Sequence, residues 1–238
     1  MNRVEIVLDE AFIKSNCYEC AKVTIVNDDG RKKERIVTIP SLMKALSSSF
    51  VKKCSSVSIG KMPFGYYDAE VGEDEGKLCA NVVTVLPASR QIMKYEDTSY
   101  DIGMPSLVFK FKISKEKVYS TKVYVIKDLK PTDKSKLYRY PFGNVSIDGL
   151  VCWGSNVLPI INELKKLESV MMLFIQSPGN ADYFKAEEYC GHKDFTLRQL
   201  FEKLKDEESY PDDYLVAIKD GNNENKVLED LISWKSKN

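Results

Sequence analysis

The 238-residue sequence predicts an α+β fold, an antiparallel meander of strands with flanking helices. Two patterns carry that expectation. Short runs that alternate apolar and polar residues follow one another, the period of a strand with one buried face. Separate blocks repeat apolar residues every three to four positions, the period of a helix lying on a core. The composition, 43% hydrophobic and 29% charged, fits a folded globular chain with ample core.

The elements follow in order. Val4 to Leu8, Ala21 to Val26 and Glu34 to Ile39 read as strands, with Asn27-Asp28-Asp29-Gly30 as the turn between the last two. A helix then places Leu42, Met43, Leu46 and Phe50 on one face, with Ser41 as the expected N-cap. From Cys54 to Pro87 the text is punctuated by Gly60, Pro63, Gly65, Gly72 and Gly76 and has no clear period. Its acidic run, Glu70 to Glu75, reads as a solvated loop, because the carboxylates lack the spacing of a calcium loop. Arg90 to Tyr95 reads as a strand. Leu107, Phe109, Phe111 and Ile113 alternate with Val108, Lys110 and Lys112 in another. Lys115-Glu116-Lys117 makes a tight turn, and Val118 to Lys127 alternates again.

Lys130 to Pro159 is irregular and rich in proline and glycine, yet it carries Leu150, Val151, Cys152 and Trp153. A long loop with that many packing residues is more often functional than a spacer. Helical spacing resumes at Val157 and runs through Ile160, Ile161, Leu164 and Leu167; it either continues into Met171 to Ile175 or stops before it. Pro178-Gly179 ends the pattern. Thr196 caps a helix to Lys205 with Leu197, Leu200, Phe201 and Leu204 on one face. A strand from Tyr214 to Ile218, a turn at Asp220-Gly221-Asn222 and a last amphipathic helix with Val227, Leu228, Leu231 and Ile232 complete the chain.

Charge and counts narrow the function. Thirty-five basic and 35 acidic residues balance, which argues against a basic nucleic-acid-binding domain. No apolar run of ~18 residues offers a membrane span. The start, MNRVEIVLDEAF, puts acids where a signal peptide needs an apolar stretch, so a cytoplasmic location with six reduced thiols is expected. A single histidine, His192, excludes two-histidine zinc sites. No metal, no nucleotide site and no other cofactor is expected, since no Walker-type phosphate loop is present.

Cys152 is the strongest candidate for chemistry. It lies in the irregular segment, and the helical pattern begins soon after it. A thiol at a helix N-terminus is favoured as thiolate by the partial positive charge of the free amides. A free cysteine on composition alone is more often a small buried hydrophobe. The neighbouring text changes that balance: Tyr140-Pro141-Phe142-Gly143-Asn144-Val145, then Asp148-Gly149-Leu150-Val151-Cys152.

This text resembles the active-site signature of ubiquitin-conjugating enzymes, in which His-Pro-Asn-aliphatic is followed by Gly-x-Ile/Val-Cys. The cysteine there stands eight positions after the asparagine. Asn144 and Cys152 keep that spacing, and Val145, Gly149 and Val151 fit. The histidine is absent, and Phe142-Gly143 separates Pro141 from Asn144. A nearer resemblance is to the PRTRC system protein B family, also called prokaryotic E2 family D. It rests on Thr132, Leu137, Asn144-Val145, Asp148-Gly149, Val151-Cys152 and Gly154, on the strand Pro105-Leu107-Val108-Phe109, and on Leu173 to Ser177 with Asn180.

The resemblance implies a ubiquitin-conjugating-like core with N- and C-terminal additions. The expected divisions are 1–60, 61–185 and 186–238. It implies a carrier that accepts a ubiquitin-like protein as a thioester on Cys152 and passes it to a target. Asn144 would be the flap partner, as oxyanion donor or as a side chain that pins the flap backbone. Pro141, Asp148, Gly149, Trp153, Ser177 and Asn180 would support the flap. The implied partners are a ubiquitin-like protein, a ThiF-like activating enzyme and a JAB-type metalloprotease of a plasmid-associated cassette.

Other readings compete. A non-catalytic scaffold that binds a ubiquitin-like protein on the same fold would be favoured by a buried thiol. A cysteine peptidase would pair Cys152 with His192 and with Asn180 or Asp194, but Gly191-His192-Lys193 reads as an exposed turn. A plasmid-maintenance adaptor is a further possibility from the cassette alone. Cys17 and Cys20 have the spacing of half a zinc site, but no second pair follows.

Overall fold

The computed structural model describes residues 3–7, 20–27, 30–50 and 58–237. They fall into two compact units, Met1–Ser56 and Val57–Asn238. Cys17 and Cys54 lie outside the described residues.

The first unit is a three-stranded antiparallel sheet in the order β1 (Arg3–Val7), β2 (Cys20–Val26), β3 (Lys32–Thr38), followed by helix α1 (Ile39–Phe50). At the expected turn the Gly30 N–H donates to the Asn27 carbonyl at 2.9 Å; Asp28 and Asp29 lie outside the described residues. Ser41 is not the cap. The helix begins two residues earlier, and the Thr38 hydroxyl accepts from the Ser41 N–H. Thr38 can do this because a β-branched residue suits the last position of a strand and its hydroxyl reaches the first free amides. Leu42 and Leu46 are half-buried, but Met43 is 57% exposed and leaves the expected apolar face.

The second unit is built on a five-stranded antiparallel sheet in the order β10 (Tyr138–Arg139), β9 (Lys117–Ile126), β8 (Ser106–Ser114), β5 (Lys77–Leu86), β4 (Tyr66–Asp74). A separate two-stranded ribbon, β6 (Ser89–Tyr95) with β7 (Thr98–Met104), is inserted between β5 and β8. The acidic run Glu70 to Glu75 is therefore not a loop. It is the second half of β4 and the turn into β5. Glu75 (φ 54°) and Gly76 (φ 76°) both sit in the left-handed region, the geometry of a tight two-residue hairpin turn. No cluster of acids, cysteines or histidine among the described residues has metal-site geometry.

β5 escaped the period test for a physical reason. Its residues face packed surfaces on both sides, so Val82, Val83, Thr84 and Val85 are all buried and no alternation survives. On one side lies the main core. Leu107, Phe109 and Phe111 of β8 meet Val123 and Val125 of β9, the ribbon, helix α2 (Leu167–Gln176) and helix α4 (Leu197–Leu204). On the other side Val83, Val85, Val108, Tyr124 and Ile126 are covered by Leu137, Leu228, Leu231 and Ile232.

The helical text after Cys152 is partly corrected. Val157 is 91% exposed and Ile160 is 60% exposed, and no helix forms there. Pro159 removes an amide donor from that turn and disfavours helix at the residue before it. A single 3-10 turn, Leu164–Lys166, leads into α2, so Met171 to Ile175 belong to the helix that begins at Leu167. A short helix α3 (Ala186–Cys190) precedes α4. The expected Thr196 cap is present as a full capping box with Gln199, an arrangement that contributes about 1 kcal/mol.

Tyr214 to Ile218 is not an independent strand. A 3-10 turn covers Asp212–Tyr214, and only Ala217 bridges to Tyr138 of β10. The turn after it forms, closed by the Asp220 carboxylate, which accepts from the Asn222 and Glu224 amides. The last helix is a 3-10 segment, Leu228–Lys237, with non-helical backbone at Ile232. No helix among the described residues is long and apolar enough to cross a membrane.

Candidate functional site

The chain leaves β10 and, after Tyr140 and Pro141, turns back as a tight flap over residues 145–151. Val145 and Val151 bridge to each other, and Leu150 bridges to Lys122 of β9, just beyond the stretch of that edge covered by β10. The Val151 N–H donates to the Thr121 carbonyl, and the Val123 N–H donates to the Gly149 carbonyl, both at 2.9 Å. The flap thus extends the sheet edge by one strand's width. Cys152 is the first residue past it and its thiol is exposed.

Gly149 is required where it stands. Its φ is 88°, and an added Cβ would lie 2.5 Å from the Tyr124 ring. Asp148, beside it, ties the flap to the sheet. Ser146 and Lys122 both bond its carboxylate, Lys122 at 3.0 Å. The Tyr124 hydroxyl donates to the Asp148 carbonyl at 3.0 Å. Burial pushes the Tyr124 phenol up to about 12, so it remains a donor at neutral pH. The Ser146 hydroxyl first, and Lys122 second, hold the Asp148 carboxyl below its ordinary range. A depressed folded-state value means that the tether persists as pH falls through the ordinary carboxylate range near 3.9 and is lost only below it. In Lys122→Met the Asp148 titration midpoint, read by carbon-13 NMR, is expected to move up toward the ordinary value; an unchanged midpoint would remove Lys122 from the tether.

Asn144 joins three segments. Its carbonyl accepts from the Cys152 N–H at 2.8 Å. Its Nδ2 donates to the Pro178 carbonyl at 2.8 Å, and its Oδ1 accepts from the Asn180 N–H at 3.1 Å. The backbone is left-handed there, φ 65°, a region that asparagine tolerates better than most side chains. The side chain therefore pins the flap to the loop after α2. One Nδ2 proton is left to meet other acceptors.

The inserted Phe142-Gly143 has a clear packing reason. Phe142 is buried among Tyr140, Phe201 and Tyr210. Gly143 lies so close to the Asn180 carbonyl that an added Cβ would stand 1.7 Å from it. Pro141 is buried immediately before this pair.

A second tether was not legible in the sequence. Residues 153–156 form a turn closed by the Asn156 N–H on the Trp153 carbonyl at 3.0 Å, with Gly154 at φ 54°. The Asn156 Nδ2 donates to the Ser177 hydroxyl at 3.0 Å, and that hydroxyl donates to the Leu173 carbonyl at the end of α2. Asn156 sits three residues after Trp153 in a Gly-Ser-Asn text whose only signal is that of a turn. Trp153 is half-buried and meets Phe174 edge-on at 6.2 Å. Cys152 is thus followed by a pinned turn, not by a helix start, and that turn is tied to the C-terminal end of α2. The helix-dipole argument for a thiolate falls with that placement.

His192 is not an exposed turn residue. It is half-buried against Phe195 at 4.8 Å and Tyr214 at 4.2 Å. Its imidazole makes no hydrogen bond to Cys152 among the described residues, so the pairing a peptidase needs is absent from the geometry. Aromatic contacts at Phe195 and Tyr214 draw the ring in.

The arrangement offers an accessible sulfur nucleophile on a backbone fixed from both sides. Among the described cysteines, Cys20 and Cys79 are half-buried, and Cys190 is buried with its thiol pushed up by desolvation. Iodoacetamide under native conditions is expected to alkylate Cys152 before Cys79 and Cys190, as read by peptide mass spectrometry. Earlier labelling of Cys190 would contradict the placement of the thiol at the surface.

The comparisons with known proteins bear on the same segment. The model of prokaryotic E2 family D matches residues 65–218, which include the whole flap, α2 and both tethers. No curated protein and no solved structure matches. With the family match spanning well over half of its length, the chain belongs to prokaryotic E2 family D, and its role is E2-like.

Proposed function

We propose that the protein is a carrier that accepts a ubiquitin-like protein as a thioester on Cys152 and transfers it to a target. One observation carries the reading: the motif cysteine is exposed at the base of a sheet-edge flap, with its backbone N–H held by the Asn144 carbonyl. Family membership supports an E2-like role in general. An exposed thiol supports the carrier over the scaffold.

The chemistry is balanced as two exchanges. The Cys152 thiolate attacks the carbonyl carbon of a thioester on a ThiF-like activating enzyme, and that enzyme's thiolate leaves. An acceptor amine then attacks the new thioester; an amide bond forms, the Cys152 thiolate leaves and the amine loses a proton to solvent or a nearby base. ATP is consumed by the activating enzyme, and no cofactor is needed here. The thiolate is the reactive form, and no permanently paired imidazole is required. Asn144 positions the flap, and its free Nδ2 proton can face the oxyanion of the tetrahedral intermediate. A JAB-type metalloprotease would act on the carrier protein or its conjugates, not on this site.

The test is a charging assay with the ubiquitin-like and ThiF-like proteins of its own gene cluster and ATP, run on a non-reducing gel. Expected is a thiol-sensitive adduct that is lost in Cys152→Ala and kept in His192→Ala. No adduct from a demonstrably charged activating enzyme would overturn the carrier reading in favour of the scaffold.

A further inference from the structure

The flap has two outer edges, and the sheet holds one of them. Val145 and Val151 face each other as a non-hydrogen-bonded pair, with ladder bonds on either side of them. Those bonds run from the Ser146 N–H to the Leu150 carbonyl at 2.9 Å and from the Cys152 N–H to the Asn144 carbonyl at 2.8 Å. In such a pair each residue turns its own N–H and C=O outward. On one side the Val151 N–H meets the Thr121 carbonyl of β9. On the other a side chain stands where a further strand would: the Val145 carbonyl accepts from the Tyr189 hydroxyl at 3.0 Å, a buried contact.

Tyr189 stands on α3, which is fixed to the strand that leads into the flap. The Arg139 guanidinium of β10 donates to the Glu188 carbonyl at 2.8 Å, and the Arg139 N–H donates to the Val216 carbonyl at 2.9 Å. Tyr189 is buried, with its ring beside Phe184. Tyr189 and Tyr124 line one closed space beneath the flap, which has no room for a water. Their hydroxyls donate to the Val145 and Asp148 carbonyls, so one holds the flap at its base and the other near its turn. Burial raises both phenols above their ordinary range, and both stay donors at neutral pH.

A buried tyrosine that bonds a carbonyl ordinarily serves stability alone. This one differs in what it holds. Val145 follows Asn144, whose carbonyl takes the Cys152 N–H, and it faces Val151, the residue before the thiol. Without the hydroxyl a buried carbonyl is left with no donor in a space closed to water, and the flap strand must shift to find one. We propose that Tyr189 is a positioning residue for the exchange at Cys152, fixing the flap strand from the side that the sheet does not reach. The proposal rests on the carrier reading and gives the chain beyond residue 185 a part in that site.

The test compares Tyr189→Phe with Tyr210→Phe in the full chain. The control removes a hydroxyl that is equally buried and has no hydrogen-bond partner. Two readings are taken: amide hydrogen exchange at Cys152 by NMR, and single-turnover charging over a range of concentrations of the charged activating enzyme. In Tyr189→Phe the Cys152 amide is expected to exchange faster. The maximal charging rate is expected to fall about 3- to 10-fold, the span to which one lost hydrogen bond corresponds, with the half-saturating concentration unchanged. Tyr210→Phe is expected to match wild type in both readings. Unchanged exchange at Cys152, faster exchange with an unchanged charging rate, a loss confined to the half-saturating concentration, or the same loss in Tyr210→Phe would each overturn the proposal. A wild type that is never charged would overturn the carrier reading instead, and hydrogen exchange at Cys152 would still decide whether Tyr189 holds the flap.

Discussion

Asn144→Ala is expected to slow formation of the Cys152 adduct about 10- to 100-fold in single turnover, the scale on which misplacing a reacting group by roughly 1 Å acts. Three losses combine. The clamp onto Pro178 and Asn180 goes, and with it the registration of the carbonyl that holds the Cys152 N–H. Alanine also resists the left-handed backbone at φ 65°, at a cost of about 1–2 kcal/mol. Two further variants separate these causes. Asn144→Gly keeps the backbone region and loses the clamp, so it is expected to be slow as well. Asn144→Asp can still accept from the Asn180 N–H but cannot donate to the Pro178 carbonyl, and is expected to fall between. Wild-type rates in Asn144→Gly would show that backbone conformation, not the side-chain clamp, sets the flap.

Phe201→Ala is expected to cost about 3–5 kcal/mol of stability, the range for removing a fully buried aromatic ring. Phe201 is 0% exposed and stacks with Tyr95 at 5.6 Å, Tyr100 at 5.1 Å and Phe142 at 5.2 Å. It joins α4, the ribbon and the segment that leads into the flap. At ~2–4 °C per kcal/mol for a chain of this size, thermal unfolding should shift down by roughly 6–20 °C. Because Phe142 stands two residues before Asn144, hydrogen exchange at the Cys152 amide should also quicken. A melting shift under about 2 °C would mean that the aromatic cluster relaxes around the gap and is not the joint between helix and flap.

Much of this organisation is legible in the residues, and the failures share causes. β8 and β9 read correctly because Phe109, Phe111, Val123 and Val125 face the main core, while Lys110, Lys112 and Lys122 interrupt the opposite face, whose buried apolar residues are Val108, Tyr124 and Ile126. α4 read correctly because Thr196 and Gln199 cap it and four apolar residues fall on one face. β5 hid because both of its faces are buried, and β4 hid because its exposed edge is acidic. The helix expected at Val157 does not form because apolar spacing cannot tell a buried face from an exposed loop, and Pro159 disfavours helix at the residue before it.

At the site, Cys152, Asn144, Gly149 and Asp148 were legible through the motif they resemble; the structure places Asp148 and Gly149 in the flap, with Asn144 and Cys152 joined at its base. Ser177 and Asn180 were legible as neighbours, and they serve as anchor points for Asn156 and Asn144. Asn156, Lys122 and Tyr124 were not legible. Their contacts reach across 21, 26 and 24 positions of sequence, and no local pattern encodes such pairs. The placement of Cys152 relative to a helix also depended on tertiary packing.

The most direct measurement is intact-protein mass spectrometry of Cys152→Ser after incubation with the ubiquitin-like protein, its activating enzyme and ATP. A serine oxygen in place of the sulfur would trap the acyl group as an ester. Expected is a single adduct on Ser that resists thiols and is released by mild base, mapped to the peptide containing position 152. An adduct that remains thiol-sensitive in this variant, or that maps to another cysteine, would contradict acyl transfer through Cys152.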